Sequence, residues 1–298
     1  MKLALTAVYL GEEPNDDGLL RVHLDQIERN TPEPYTLYAA VNRLPVDSRD
    51  MLAERRNVRV LDLPVTGLRS SRENAFYLEL LVKAAIEEGA THVCTLHLDS
   101  FPVRPLWATE LERKLRGDCV LAGLQRDPFR DRKPMTAFML FTRDFYLSCR
   151  PAFLLSEEAL KSTDYRRYAT RHPHIKDSGS GYGFTVFREG LSWHPLVRTD
   201  TGPAGWGFGI FGGLAFHLGG ANWYPSATAR KPARSPRLAR WVERSWRVAS
   251  PLLPARLRLR LARLAPFDVR VAAGSWRVAQ RKAALVASPE AFLRDLGV

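Results

Sequence analysis

The stretch from Ser70 to Trp107 constrains the fold more than any other part of the sequence. Apolar residues recur at helical spacing over 76–86, and the following residues 91–98 are rich in strand formers. The strand leads directly into Asp99. Because open α/β sheets bind their ligands at the carboxyl ends of the strands, Asp99 is a candidate ligand-binding residue. The local sequence equally permits Asp99 to cap a turn before Pro102.

The same alternation of helices and strands extends over most of the chain. Apolar patterning predicts strands at residues 2–10, 35–42, 58–63, 91–98, 119–124, 136–142 and 191–198. Helices are predicted between them, at residues 19–30, 49–56, 71–88, 106–115, 143–148, 156–170 and 184–189. This order predicts an α/β fold, in which a mostly parallel, Rossmann-like sheet with right-handed crossovers carries flanking helices.

Basic residues are concentrated in the C-terminal quarter of the chain. Residues 226–298 hold 16 Lys or Arg against 4 Asp or Glu, which leaves 28 of each class for residues 1–225. The sequence therefore predicts an α/β domain (1–224), a Pro-rich linker (225–236) and a basic helical segment (237–298). Because the domain itself is neutral, the high pI does not indicate a nucleic-acid partner, and none is expected.

The basic segment also combines tryptophans with arginines, a composition that suits an anionic membrane surface. The alternative is a basic helical hairpin packed on the domain. Three cysteines without metal-like spacing fit a reducing compartment, and the apolar opening is too short for a signal peptide. No apolar run approaches the ~18 residues that span a bilayer. We expect a cytoplasmic protein, or one that lies peripherally on the inner membrane face.

Three more polar residues are candidates for a site. Asp62 ends the predicted strand at 58–63, Asp177 precedes a Ser-Gly-Ser-Gly-Tyr-Gly turn, and His217 lies in a glycine-rich, aromatic stretch. Each has a structural alternative: a turn residue for Asp62, a helix N-cap for Asp177 and a satisfied core position for His217.

The order and spacing of residues 2–224 resemble the GT-A fold glycosyltransferases that use nucleotide sugars, nearest to the family 2 type. In that family the ends of the first and third strands receive the donor base, an Arg-x-Asn-like segment opens the next helix, and an Asp-x-Asp motif ends the fourth strand. The motif reads His97-Leu98-Asp99 here, so a histidine replaces its first carboxylate. The implied donor-binding residues are Thr6, Val8, Asp62, Arg72, Asn74, His97 and Asp99.

The resemblance also implies a reaction. A divalent cation, Mn²⁺ or Mg²⁺, held by Asp99 and His217 would stabilise the leaving nucleotide diphosphate as a Lewis acid, with Arg72 adding positive charge. Asp177 would be the catalytic base that takes the proton of the acceptor hydroxyl. The implied function is metal-dependent transfer of a hexosyl-type sugar from a nucleotide-diphosphate donor to a glycan or lipid-linked hydroxyl, with inversion.

Two other functions remain open on the same fold. A sugar-phosphate nucleotidyltransferase shares the sheet, but it normally has a basic, glycine-rich loop after the first strand, and residues 11–14 read Gly-Glu-Glu-Pro. A non-catalytic sugar- or membrane-binding module is the second alternative. The loss of the first motif carboxylate favours that module slightly.

Overall fold

A seven-stranded sheet is the centre of the protein. The computed structural model describes residues 1–10, 17–42, 44–127, 131–171, 178–200, 207–219 and 278–298. The strands are β1 (Leu3–Leu10), β2 (Tyr35–Asn42), β3 (Val58–Leu61), β4 (His92–Leu96), β5 (Ser100–Pro102), β6 (Cys119–Asp127), β7 (Asp131–Thr142), β8 (Ser192–Leu196), β9 (Gly209–Phe211) and β10 (Ala215–His217). The main sheet has the order β3-β2-β1-β4-β7-β6-β8, and a small sheet has the order β5-β10-β9.

Helices cover both faces of the main sheet. They are α1 (Asp17–Asn30), α2 (Val46–Ala53), α3 (Ser70–Glu87), α4 (Trp107–Glu112), α5 (Arg143–Cys149), α6 (Glu157–Lys161), α7 (Thr163–Arg171), α8 (Ser180–Arg188), α9 (278–287) and α10 (Pro289–Arg294). Successive residues of β1 point to opposite faces, so Leu5 joins one apolar cluster and Ala4 the other. This two-sided burial explains why the strands read as continuous apolar runs.

The predicted fold class is confirmed. Strands β3, β2, β1, β4, β6 and β8 run in one direction, and β7 runs against its neighbours β4 and β6. The sheet is therefore mostly parallel. Residues 125–127 and 131–134 lie outside the predicted strands but form the ends of β6 and β7, which pair antiparallel with bulges in the register. The alternation of apolar residues is interrupted there, so periodicity did not reveal these strand ends.

One glycine ends a helix, and another allows a helix to pack closely against the neighbouring chain. Gly89 follows α3 with φ of +84°, a left-handed conformation that terminates helices. Gly181 lies in the first turn of α8, where an added Cβ would be 1.8 Å from the carbonyl oxygen of Ala152. The close approach of α8 to the chain at residue 152 therefore requires glycine.

The last 21 residues pack on the domain. Leu285 and Leu293 are buried in the same apolar cluster as β1. Phe292 of α10 contacts the rings of Phe208 and Phe216, at centroid distances of 6.4 and 6.0 Å. The proposed boundaries at 224 and 236, and most of the basic segment, lie outside the described residues and stay predictions. In the described ranges, none of the helices has the length and apolar content needed for a membrane crossing.

Candidate metal and donor site

A tight turn at the carboxyl end of β4 presents Asp99. The Ser100 amide donates to the carbonyl oxygen of His97 at 2.9 Å, which closes a four-residue β-turn. The His97 amide donates to the Ala137 carbonyl at 3.1 Å, and the Ser100 hydroxyl donates to the same carbonyl. These bonds fasten the turn to β7, so the buried Asp99 carboxylate is held at a fixed point of the sheet edge.

The small sheet brings His217 to this turn. In the pairing of β10 with β5, His217 is opposite Ser100, and the next amide, of Leu218, donates to the Asp99 carbonyl at 2.9 Å. The His217 Nε2 atom lies 3.7 Å from Asp99 Oδ1. The predicted proximity of these two side chains is therefore found, and it is produced by backbone pairing between segments more than 100 residues apart.

The other nitrogen of His217 is occupied. Its Nδ1 atom lies 2.5 Å from the carbonyl oxygen of Gly207. Because a carbonyl only accepts, Nδ1 carries the hydrogen, and in the neutral ring Nε2 keeps a lone pair on the side of Asp99. Gly207 has φ of +68°, and an added Cβ would come within 3.4 Å of the imidazole. This arrangement resembles the carbonyl support that orients metal-binding histidines.

His97 is held by a chain of hydrogen bonds. Its Nε2 atom lies 3.1 Å from the Thr136 hydroxyl, which lies 3.2 Å from the hydroxyl of Ser178. The Asn74 side-chain amide donates to Ser178 at 3.3 Å. These hydrogen bonds connect the end of β4 with β7, the start of α3 and the residues before α8. They show that Asn74, a predicted donor-binding residue, lies on the same edge of the sheet as His97.

Three potential ligand atoms converge at this edge. One ring nitrogen of His97, one of His217 and one oxygen of Asp99 all lie within 4.8 Å of one another. Donor atoms that share an ion at about 2.1 Å are at most about 4.2 Å apart, so a small closure brings all three into range. Two imidazoles and a carboxylate are a suitable donor set for a divalent cation. The residues therefore fit a metal ion.

A buried histidine that the sequence analysis did not single out lies behind the site. His23 of α1 is fully buried, and its Nε2 atom is 3.0 Å from the hydroxyl oxygen of Tyr9. Burial lowers the pKa of His23 to about 4, against the opposing effects of a backbone hydrogen bond at Ser100 and the charge of Asp99. The ring is therefore neutral at pH 7. The sequence does contain a signal for this residue, because His23 lies on the apolar face of the helix predicted at 19–30.

His23 predicts a specific pH dependence of stability. Because the pKa is about 6.5 in the unfolded chain and about 4 in the fold, the unfolded state binds more protons between these values. Stability should therefore fall as the pH drops from 6.5 to 4, by up to ~3 kcal/mol from this residue. Urea unfolding at several pH values should show a shallower loss for His23→Leu. Parallel pH profiles for the two proteins would refute this.

The other predicted residues are distributed along the same edge or within the sheet. Thr6 is fully buried in mid-sheet, level with Thr95 of β4, and Val8 is nearly so. Asp62 is exposed directly after β3, three strand spacings or about 14 Å from β4. Arg72 is exposed in the first turn of α3. The structure brings Asn74, His97, Asp99 and His217 together, and does not open the Thr6 side chain to a donor.

Two further results concern the predicted base and a missed carboxylate. Asp177 lies outside the described residues. Helix α8 has Gly179 at its N-cap, so the cap position is not residue 177.

The middle residue of the Arg-x-Asn-like segment, Glu73, is fully buried and accepts a hydrogen bond of 2.6 Å from Asn42 at the end of β2. The sequence patterns do not identify Glu73 as a buried carboxylate beside Asn74.

No protein-family model and no curated protein matches the sequence. The chain is similar to the solved structure of mouse xyloside xylosyltransferase 1 in its apo form, with 12% identity and a TM-score of 0.45 over 66% of this chain and 85% of that one. It is also similar to a mannosyltransferase from Pyrobaculum calidifontis in complex with GDP-Man and Mn²⁺, with 13% identity and a TM-score of 0.47 over 97% and 79%.

A third similar structure is the galactosyltransferase LgtC in complex with donor and acceptor sugar analogs, with 12% identity and a TM-score of 0.37 over 66% of this chain and 73% of that one. These solved structures are glycosyltransferases, the class that the sequence resembles. The family 2 type stays a prediction.

Proposed function

We propose that the protein is a metal-dependent glycosyltransferase that moves a sugar from a nucleotide-diphosphate donor to a hydroxyl acceptor. The observation that carries this proposal is the convergence of His97, Asp99 and His217 at the carboxyl end of β4. Ligands of open α/β sheets bind at this edge. A divalent cation there would act as a Lewis acid that stabilises the charge of the leaving diphosphate.

The residues around the cluster have complementary roles in the proposed reaction. Asp99 and His217 would hold the cation, and the exposed Arg72 would add positive charge for the phosphates. Asp62, about 14 Å along the edge, is far enough from the cation to receive the base of the nucleotide. The identity of the cation, Mn²⁺ or Mg²⁺, belongs to the proposal.

Asp177 is the proposed catalytic base, and inversion is the proposed outcome. Support comes from the next residue, Ser178, which is buried and hydrogen-bonded to Asn74 and Thr136 at the site edge. A base so placed would take the proton of the acceptor hydroxyl as it attacks the sugar. We propose a hexosyl donor, a glycan or lipid-linked acceptor, and peripheral attachment to the inner membrane face through the basic segment 237–298.

A screen of the full-length protein tests this function. UDP, GDP and their hexosyl derivatives are added one at a time, with and without Mn²⁺, and the thermal unfolding temperature is recorded. One nucleotide should stabilise the fold in a metal-dependent manner, by about 2.7 kcal/mol at 100 times its Kd. Slow release of free sugar from that donor should accompany binding. If no nucleotide stabilises the protein with or without metal, the proposal is wrong.

The non-catalytic module gives a different result in the same screen. The absence of a carboxylate at position 97 favours this second candidate, because the family motif has two. A module would bind the nucleotide sugar and show neither hydrolysis nor transfer to any acceptor. Binding with turnover therefore supports the enzyme, and binding without turnover supports the module.

A further inference from the structure

His97 shares its cluster with the two proposed metal ligands. The sequence resemblance implies that His97 binds the donor, because it replaces the first carboxylate of the motif. In the structure one of its ring nitrogens is within 4.8 Å of the ligand atoms of both Asp99 and His217. Its ring centroid lies 6.4 Å from that of His217. These distances suit three side chains that surround one ion.

The position of His97 is fixed from two directions. Its backbone belongs to the turn that also holds Asp99, and its amide donates to Ala137. Its ring nitrogen Nε2 bonds with Thr136, which is itself hydrogen-bonded to Ser178. Metal-binding histidines typically have such an oxygen partner, which sets the tautomer and the ring orientation. His217 has the equivalent partner in the Gly207 carbonyl.

We propose that His97 is the third protein ligand, so that the centre has two histidines and one carboxylate and prefers transition metals to Mg²⁺. This inference deepens the proposed function and rests on its metal site. Mg²⁺ favours oxygen ligands and retains its waters, whereas imidazole suits Zn²⁺, Fe²⁺ and Ni²⁺, and the affinity of nitrogen-containing sites rises from Mn²⁺ through Fe²⁺ to Co²⁺. Three protein ligands leave positions open for water or for diphosphate oxygens.

Cobalt binding measured without any nucleotide tests the inference. The full-length protein is stripped with a chelator and titrated with Co²⁺, whose visible absorption reports its ligands. We expect the His97→Ala variant to bind Co²⁺ at least about 10-fold more weakly than the unchanged protein. Mg²⁺ in about 100-fold excess should leave the cobalt spectrum of the unchanged protein intact. Equal Co²⁺ affinities, or displacement by an equal concentration of Mg²⁺, would overturn the proposal.

His97→Asp provides a second variant with an opposite expectation. It supplies a carboxylate at the same position, so the ratio of Co²⁺ to Mg²⁺ affinity should fall at least about 10-fold. The matched control is His194→Ala on the edge strand β8, which should bind both ions unchanged. Circular dichroism in the presence of chelator establishes that each variant is folded. An unchanged affinity ratio in folded His97→Asp would contradict the third-ligand role.

Failure of this inference is distinguishable from failure of the proposed function. If Co²⁺ binding depends on His97 but no nucleotide sugar binds, the metal centre stands and the transferase proposal falls. If His97→Ala leaves Co²⁺ binding intact while nucleotide binding requires metal, the transferase proposal stands and His97 is not a ligand.

Discussion

Asp99→Asn is expected to weaken metal-dependent nucleotide binding at least about 100-fold while the protein stays folded. Loss of groups that only support metal ligands typically costs 10–100-fold in affinity, so loss of a direct anionic ligand should cost at least the upper value. The fold should tolerate the change because Asn has the same shape. The backbone bonds of the turn, including the 2.9 Å bond from Leu218 to the Asp99 carbonyl, do not involve the carboxylate.

Calorimetry with Mn²⁺ and the nucleotide found in the screen measures this effect. The control is Asp118→Asn, an exposed carboxylate in the turn before β6 at the opposite edge of the sheet. It should leave binding unchanged. Binding by Asp99→Asn within a factor of three of the unchanged protein would exclude Asp99 as a ligand. Loss of cooperative unfolding would show instead that the carboxylate stabilises the turn.

The fold was predictable from the sequence because the apolar patterns that specify its strands and helices are local. A parallel strand buried on both faces is a short apolar run, and a helix that covers it has apolar spacing along one face. These patterns gave the strands β1, β2, β3 and β4 and the helix α3 with errors at the ends. The ends of β6 and β7 were missed because their pairing, through bulges in the register, interrupts the local pattern.

The candidate site was only partly predictable because its geometry depends on long-range pairing. Neither Ser100-Phe101-Pro102 nor Ala215-Phe216-His217 has a strong strand signal alone, since each strand has three residues. Their pairing places His217 beside Asp99, and only the resemblance connected these two residues beforehand. The supports of the histidines, Thr136 and Gly207, have no signature in the sequence. They are recognisable only once the rings that they contact have been placed.

The predicted donor-binding residues also differ in where they lie, some at the edge of the sheet and some inside it. Asn74, His97 and Asp99 are at the edge, but Thr6 occupies mid-sheet with its hydroxyl fully enclosed. The resemblance matched residues by their order along β1, and a shift of two residues along a strand is about 7 Å. Such a shift moves a side chain from the edge into the core. The order of residues along the chain therefore identifies the correct strand more reliably than it identifies the exact residue within that strand.

Asp177→Asn is expected to reduce the rate of sugar transfer by ~10²–10⁴-fold, the range typical of a general base. Asn keeps the shape of the side chain but takes no proton from the acceptor. Donor binding should be unchanged because the base acts on the acceptor, so kcat should fall while the Kd of the nucleotide stays constant. Single-turnover assays with the identified donor and acceptor, together with calorimetry, measure both quantities.

The alternative for Asp177 is a negative charge that stabilises the start of α8. A charge in that position stabilises a helix by roughly 0.3–1 kcal/mol and takes no part in catalysis. In that case Asp177→Asn would lower the unfolding temperature slightly and leave the rate of sugar transfer unchanged. Gly179 occupies the N-cap of α8, which makes direct capping by residue 177 unnecessary. Asp164→Asn on the exposed face of α7 is the matched control for removing one carboxylate. A transfer rate for Asp177→Asn equal to that of this control would exclude Asp177 as the base.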